Sequence, residues 1–89
     1  MDGKAFISEI ETDFESTSPI LSYAIKKQLA EIGTTPEDLT PKEAMQFIER
    51  MTDAMEMFLG KSEANKKRNF MMTLLRRQAP EYFESISPI

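Results

Sequence analysis

Residues 40–77, TPKEAMQFIERMTDAMEMFLGKSEANKKRNFMMTLLRR, decide the fold. Thr40-Pro41-Lys42-Glu43 reads as a helix start: Thr at the N-cap, Pro at the first helical position, and Glu at N3 to close a capping box. Ala44, Phe47, Ile48, Met51, Ala54, Met55, Phe58 and Leu59 then recur at three- and four-residue intervals, which defines one broad apolar face at helical period. Gln46, Glu49, Asp53 and Glu56 make the opposite stripe. Gly60 is suited to the left-handed C′ position that ends a helix. A second helix is expected to start with Ser62 as N-cap and to run over 63–78, with Ala64, Phe70, Met71, Leu74 and Leu75 on its apolar side. A turn as short as Gly60-Lys61 makes the two helices, 41–59 and 63–78, an antiparallel hairpin.

Working outward from the hairpin, Phe6, Ile7, Ile10 and Phe14 share a stripe, which predicts a helix over about 4–15. Ser16-Thr17-Ser18-Pro19 breaks it. Ser18 is the expected cap of the next helix, 19–32, whose face is Leu21, Ala24, Ile25, Leu29 and Ile32 and which Gly33 ends. Residues 36–39 read as one capped turn pinned by Leu39, and 80–85 as a short last turn with Tyr82 or Phe83 against the bundle. No sustained period-2 alternation and no Asn-Gly or Asp-Gly turn speaks for strands. The fold class is therefore all-α: a small bundle of four helices with short extra helical turns, in a single domain over 1–89.

The 89 residues include no cysteine and no histidine. There is then no disulfide framework, no thiolate chemistry, and neither the commonest metal ligand nor the usual general base near neutral pH. General-base work would fall to carboxylates, lysine or tyrosine, and no pair is placed for it. The expectation is a protein that is not an enzyme and holds no cofactor or metal. Glu49, Asp53 and Glu56 share a helical stripe that a divalent cation can use, yet the stripe faces away from the core and lacks histidine, so it reads as a solvated acidic face. No apolar run approaches the ~20 residues of a membrane span. The start MDGKAFISEIETD lacks the basic and apolar regions of a signal peptide, so the expected location is the cytoplasm.

The net charge of −4 conceals an asymmetry. Residues 1–60 carry twelve acidic and five basic groups, whereas Lys61, Lys66, Lys67, Arg68, Arg76 and Arg77 face only Glu63 in 61–78. Cations in the first turns of a helix oppose its dipole. One reading makes 61–78 a nucleic-acid interface, with Lys66, Asn69, Thr73, Arg76 and Arg77 on one face. The other has these cations neutralise the acidic helices beside them or meet a protein partner. An acidic pI near 4.8 and the lack of a groove-entering motif or of aromatics placed for base stacking favour the second.

Six of the seven methionines lie in the hairpin. Met51, Met55 and Met71 belong to the apolar faces; Met45, Met57 and Met72 fall off them, and adaptable methionines on a surface suit partner contacts. The expected function is a non-catalytic helical module that works through protein–protein contacts, as a homodimer that includes Met57 or Met72, with Lys66, Asn69, Arg76 and Arg77 as further contact residues. The alternative is a nucleic-acid-binding module that uses 61–78. One internal echo remains: 14–20 (FESTSPI) and 83–89 (FESISPI) agree at six of seven positions. It reads as reuse of a helix-stop and Ser-Pro start phrase, or as a chain end that mimics the first inter-helix junction across a dimer.

Overall fold

The computed structural model describes residues 1–86. The chain is all-α: α1 (Gly3–Glu15), α2 (Ile20–Ile32), a 3-10 turn (Pro36–Asp38), α3 (Pro41–Gln78) and α4 (Pro80–Ile86). Among the described residues there is no strand.

Local chemistry sets most boundaries. Asp2 caps α1, its Oδ1 accepting from the Ala5 amide at 3.0 Å, so the helix starts slightly earlier than the apolar stripe alone implies. Gly33 ends α2 with φ 87°, and its amide donates to the Leu29 and Ala30 carbonyls. Thr35 caps the 3-10 turn. Thr40 and Glu43 form the capping box in both directions, at 3.2 and 3.1 Å. The expected Ser18 cap is absent: α2 begins without a side-chain cap, and the Ser18 backbone instead joins a turn, its amide donating to Phe14 O and its carbonyl accepting from Leu21 N.

The break expected at Gly60 is present, but the Ser62 cap is not: Ser62 makes no side-chain hydrogen bond among the described residues. α3 is one 38-residue element whose only non-helical residue is Gly60, at φ 83°, ψ 166°. It is not straight. Thirty-eight residues at a 1.5 Å rise span about 57 Å, whereas the longest principal extent of the molecule is 36 Å. Arg68 Nη2 also meets Glu49 Oε1 at 3.2 Å. Nineteen residues along a straight helix would hold those two about 28 Å apart. The chain therefore bends sharply at Gly60.

The buried apolar side chains form one cluster: Phe6, Ile7, Ile10 and Phe14 from α1, Leu21, Ile25 and Leu29 from α2, and Ala44, Phe47, Ile48, Met51, Met55, Ala64, Met71, Leu74 and Leu75 from α3, with Leu39 and Ala79. Thr52 is the one buried polar residue among the described positions, and its hydroxyl donates to Ile48 O at 2.7 Å. Phe70, Leu59, Ile32 and Ala24 are only half-buried. The largest departure from the apolar stripe is Phe58, 57% exposed. The reason is length. α2 runs antiparallel to the first arm of α3: Thr34, just past its end, meets Glu43, Gln28 and Glu31 meet Arg50, and Ile20 shares a cleft with Phe58, so α2 begins beside the end of that arm. Phe58 lies about two turns beyond Arg50 and so borders the first residues of α2 rather than its middle.

α1 packs against the 3-10 turn through Gly3. A Cβ there would stand 2.2 Å from the Pro36 carbonyl oxygen, which leaves room only for hydrogen. In α4, Tyr82 and Phe83 are half-buried and meet edge to face at 5.6 Å. The end of the second echo copy, 87–89, lies outside the described residues.

Candidate interaction surfaces

Two surfaces carry the features singled out above. The first lies where the start of α2 meets the end of the first arm of α3. Ile20 is 48% exposed, Tyr23 69%, Phe58 57% and Met57 85%. A cleft of about 160 Å³ is lined by Ile20, Tyr23, Ala24, Lys27, Gln28, Ala54 and Phe58. A second, of about 310 Å³, adjoins it, shares Gln28 and Ala54, and adds Glu31, Arg50, Asp53 and Met57. The result is an apolar strip with a cation, Lys27, in one cleft and a carboxylate, Asp53, in the adjoining one. Neither makes an ion pair among the described residues.

The second surface is the basic arm, 61–78. Much of its charge is spent within the molecule. Lys67 Nζ donates to Asp13 Oδ2 at 2.8 Å and to Thr17 Oγ1 at 2.7 Å, and sits 5.2 Å from the centre of the Phe14 ring. Arg68 pairs with Glu49, and Lys66 with Glu63 at 3.2 Å. Arg76 lies 5.5 Å from the Phe83 ring centre. Three carboxylates thus offset three of the four cations in the first turns of this arm, where positive charge opposes the helix dipole; the fourth, Lys61, makes no ion pair among the described residues. Arg77 lines a cleft of about 400 Å³ between this arm and α1, with Phe70 and Leu74 as apolar walls and Glu9 and Asp13 across from it.

Of the residues proposed for partner contact, Met57, Lys66, Asn69, Arg76 and Arg77 are exposed. Met72 is half-buried against the core, so it offers less surface than its off-stripe position implies. Met57 joins the apolar strip; Lys66, Asn69, Arg76 and Arg77 belong to the separate basic arm and do not gather around it. Ile20, Tyr23 and Phe58 were not singled out as contact residues. A signal existed for two of them: Ile20 and Tyr23 stand three apart and off the Leu21–Ile25–Leu29 face, a second apolar edge on the same helix.

Among the described residues no group of three or more carboxylates is placed to hold a metal ion, and no helix is long and apolar enough to cross a membrane. The one clear electrostatic perturbation is structural: the Thr40 backbone N–H, with the Thr34 and Thr40 hydroxyls, holds the Glu43 carboxyl below its ordinary range. Comparison of the chain with protein-family models, curated proteins and solved structures finds no match.

Proposed function

We propose that this protein is a non-catalytic helical interaction module that binds a second copy of itself through the strip Ile20–Tyr23–Met57–Phe58. In this reading the two arms of α3 form an antiparallel hairpin, and with α1 and α2 they make a bundle of four helices. The observation that carries the proposal is the clustering of four large, exposed apolar side chains, two of them aromatic: Ile20, Tyr23 and Phe58 line one cleft and Met57 lines the adjoining one. Aromatic anchors of this kind dominate the energetics of protein contacts.

The flanking charges argue for a copy of the same chain. In a two-fold contact the same patch meets itself. A strip that carries an unpaired lysine in one cleft and an unpaired aspartate in the adjoining one can place Lys27 of each subunit toward Asp53 of its partner. A stable contact of this kind buries about 1,000 Å² or more in total. The nucleic-acid reading is disfavoured because Lys66, Lys67 and Arg68 are engaged by carboxylates of the same chain.

Sedimentation equilibrium at tens of micromolar tests the proposal. The wild type is expected to sediment as a dimer, and Tyr23→Ser with Phe58→Ser as a folded monomer. A monomeric wild type, or a double variant that dimerises as well as the wild type, overturns it.

A further inference from the structure

The way the second copy is held can be read from Gly60, on the assumption, taken from the proposed function, that a second copy is the partner. Gly60 is the only residue of α3 outside helical dihedral angles. It is exposed, and a Cβ built on it would meet open space. No side-chain hydrogen bond caps either arm at the bend: Ser62 makes none among the described residues. Carbonyls at the end of the first arm and amides at the start of the second are therefore left without helical partners.

We propose that α3 straightens at Gly60 and that two copies of the chain exchange their second arms. Only the two dihedral angles of Gly60 need to change. Residues 41–59 and 61–78 are already helical, so rotation to helical values joins them into one continuous helix. Straightening restores the missing backbone pairs at the bend. It costs the closed chain its contacts between the second arm and the rest: Lys67 with Asp13, Arg68 with Glu49, and the Asp2 amide with Gln78 Oε1. A second copy opened in the same way returns each of them between chains, which is the logic of domain exchange. Met57 and Phe58 stand two and three residues from the bend, so the exposed strip of each chain lies beside the crossing point and is covered there by the partner. A short hinge that holds a tight turn favours exchange of this kind.

The test combines hydrodynamics with an intrachain distance. The chain has no cysteine, so Gln46→Cys with Thr73→Cys, both at exposed positions, gives a unique pair of spin-label sites. Doubly labelled chains are diluted into excess unlabelled protein so that only intrachain pairs are read. In the closed form the two sites are close, as the Glu49–Arg68 contact requires. In the open form they stand 27 residues apart on one helix, about 40 Å. Gly60→Ala decides between the forms, because Ala is strained at positive φ in the closed form and preferred over Gly in the open helix; with two chains per dimer, it should tighten dimerisation ~1,000-fold or more.

The expected result is a Gly60→Ala dimer with the long intrachain distance, and a folded monomer with the short one when Gly-Ser is inserted after Gly60. A Gly60→Ala protein that is monomeric, or dimeric with the short distance, or unfolded by circular dichroism at every concentration, overturns the exchange. The second of those outcomes leaves the face-to-face dimer of the proposed function intact. A monomeric wild type beside a Gly60→Ala dimer with the long distance removes the proposed function for the natural chain but keeps the exchange.

Discussion

Two adjacent lysines in the basic arm should differ sharply in what they contribute, and Lys67→Met is the perturbation that reads this out. The Lys67 side chain is 14% exposed; its ammonium donates to Asp13 and Thr17 and lies near the Phe14 ring. A hydrogen bond to a charged group contributes about 1.5–3 kcal/mol, and a ring contact about 0.5–1 kcal/mol. Ordering the lysine costs about 1.5 kcal/mol. Asp13, 37% exposed, regains water when the ammonium is removed, so no further penalty is added. The net expected loss for Lys67→Met is about 1.5 kcal/mol, or about 6–12 °C in Tm for a domain of this size. Lys66 is 71% exposed and pairs with a neighbour on its own helix, so Lys66→Met should change stability by less than about 0.5 kcal/mol. Urea melts of both variants, with Asp13→Asn and the Lys67→Met/Asp13→Asn double variant, complete a thermodynamic cycle. A Lys67→Met loss below about 0.5 kcal/mol, or a zero coupling to Asp13, would refute the claim that this arm's charge is used inside the molecule.

Phe47→Ala should cost about 3–5 kcal/mol, since the side chain is fully buried, while Phe58→Ala should cost less than about 1 kcal/mol; equal losses in denaturant melts would contradict the burial described. Gly3→Ala forces the Pro36 carbonyl and the start of α1 apart and should destabilise by about 1–3 kcal/mol, which thermal unfolding monitored by circular dichroism will measure. Glu43 has a carboxyl held below its ordinary value of 4.5, so its contribution to stability is complete above that pH and is lost as pH falls through the lower folded value. Glu43→Gln should therefore flatten the stability profile below pH 4.5 and leave its slope at neutral pH unchanged. At physiological salt, fluorescence anisotropy with mixed DNA and RNA oligomers should detect no binding tighter than ~10⁻⁵ M; sub-micromolar affinity would restore the nucleic-acid reading.

What was legible in the chain follows from how far each signal reaches. Capping is local, and Thr40 with Glu43 could be read directly because both partners lie within one turn. The same local grammar failed at Ser18 and Ser62, where the backbone geometry of a tight junction left the hydroxyl without a cap to make. Helical periodicity located the buried faces of α1 and α2, since Phe6, Ile10, Phe14, Leu21, Ile25 and Leu29 all enter the core. Periodicity states which side of a helix is apolar but not where the covering helix stops. Phe58 continues its stripe and is nevertheless exposed, and Tyr23 beside it could not be recognised as its neighbour from spacing alone. Met72 shows the converse: it lies off the stripe, yet its long side chain packs partly against the core.

The bond from the Asp2 amide to the Gln78 side chain, together with Lys67 on Asp13 and Thr17, has a consequence for the order of events during synthesis. α1 packs along an arm that is made more than 50 residues later in the chain. At about 5–20 residues per second, several seconds separate the emergence of Phe6 and Phe14 from that of residues 67–78. Through that interval α1 lacks the side chains of the second arm that wall it, Phe70 and Leu74, and its acidic C-terminal end lacks the lysine that later neutralises it. A nascent chain stalled before Gly60 is therefore expected to display apolar surface that the finished protein hides, and to depend on whatever shields such surface at the ribosome until the last arm arrives.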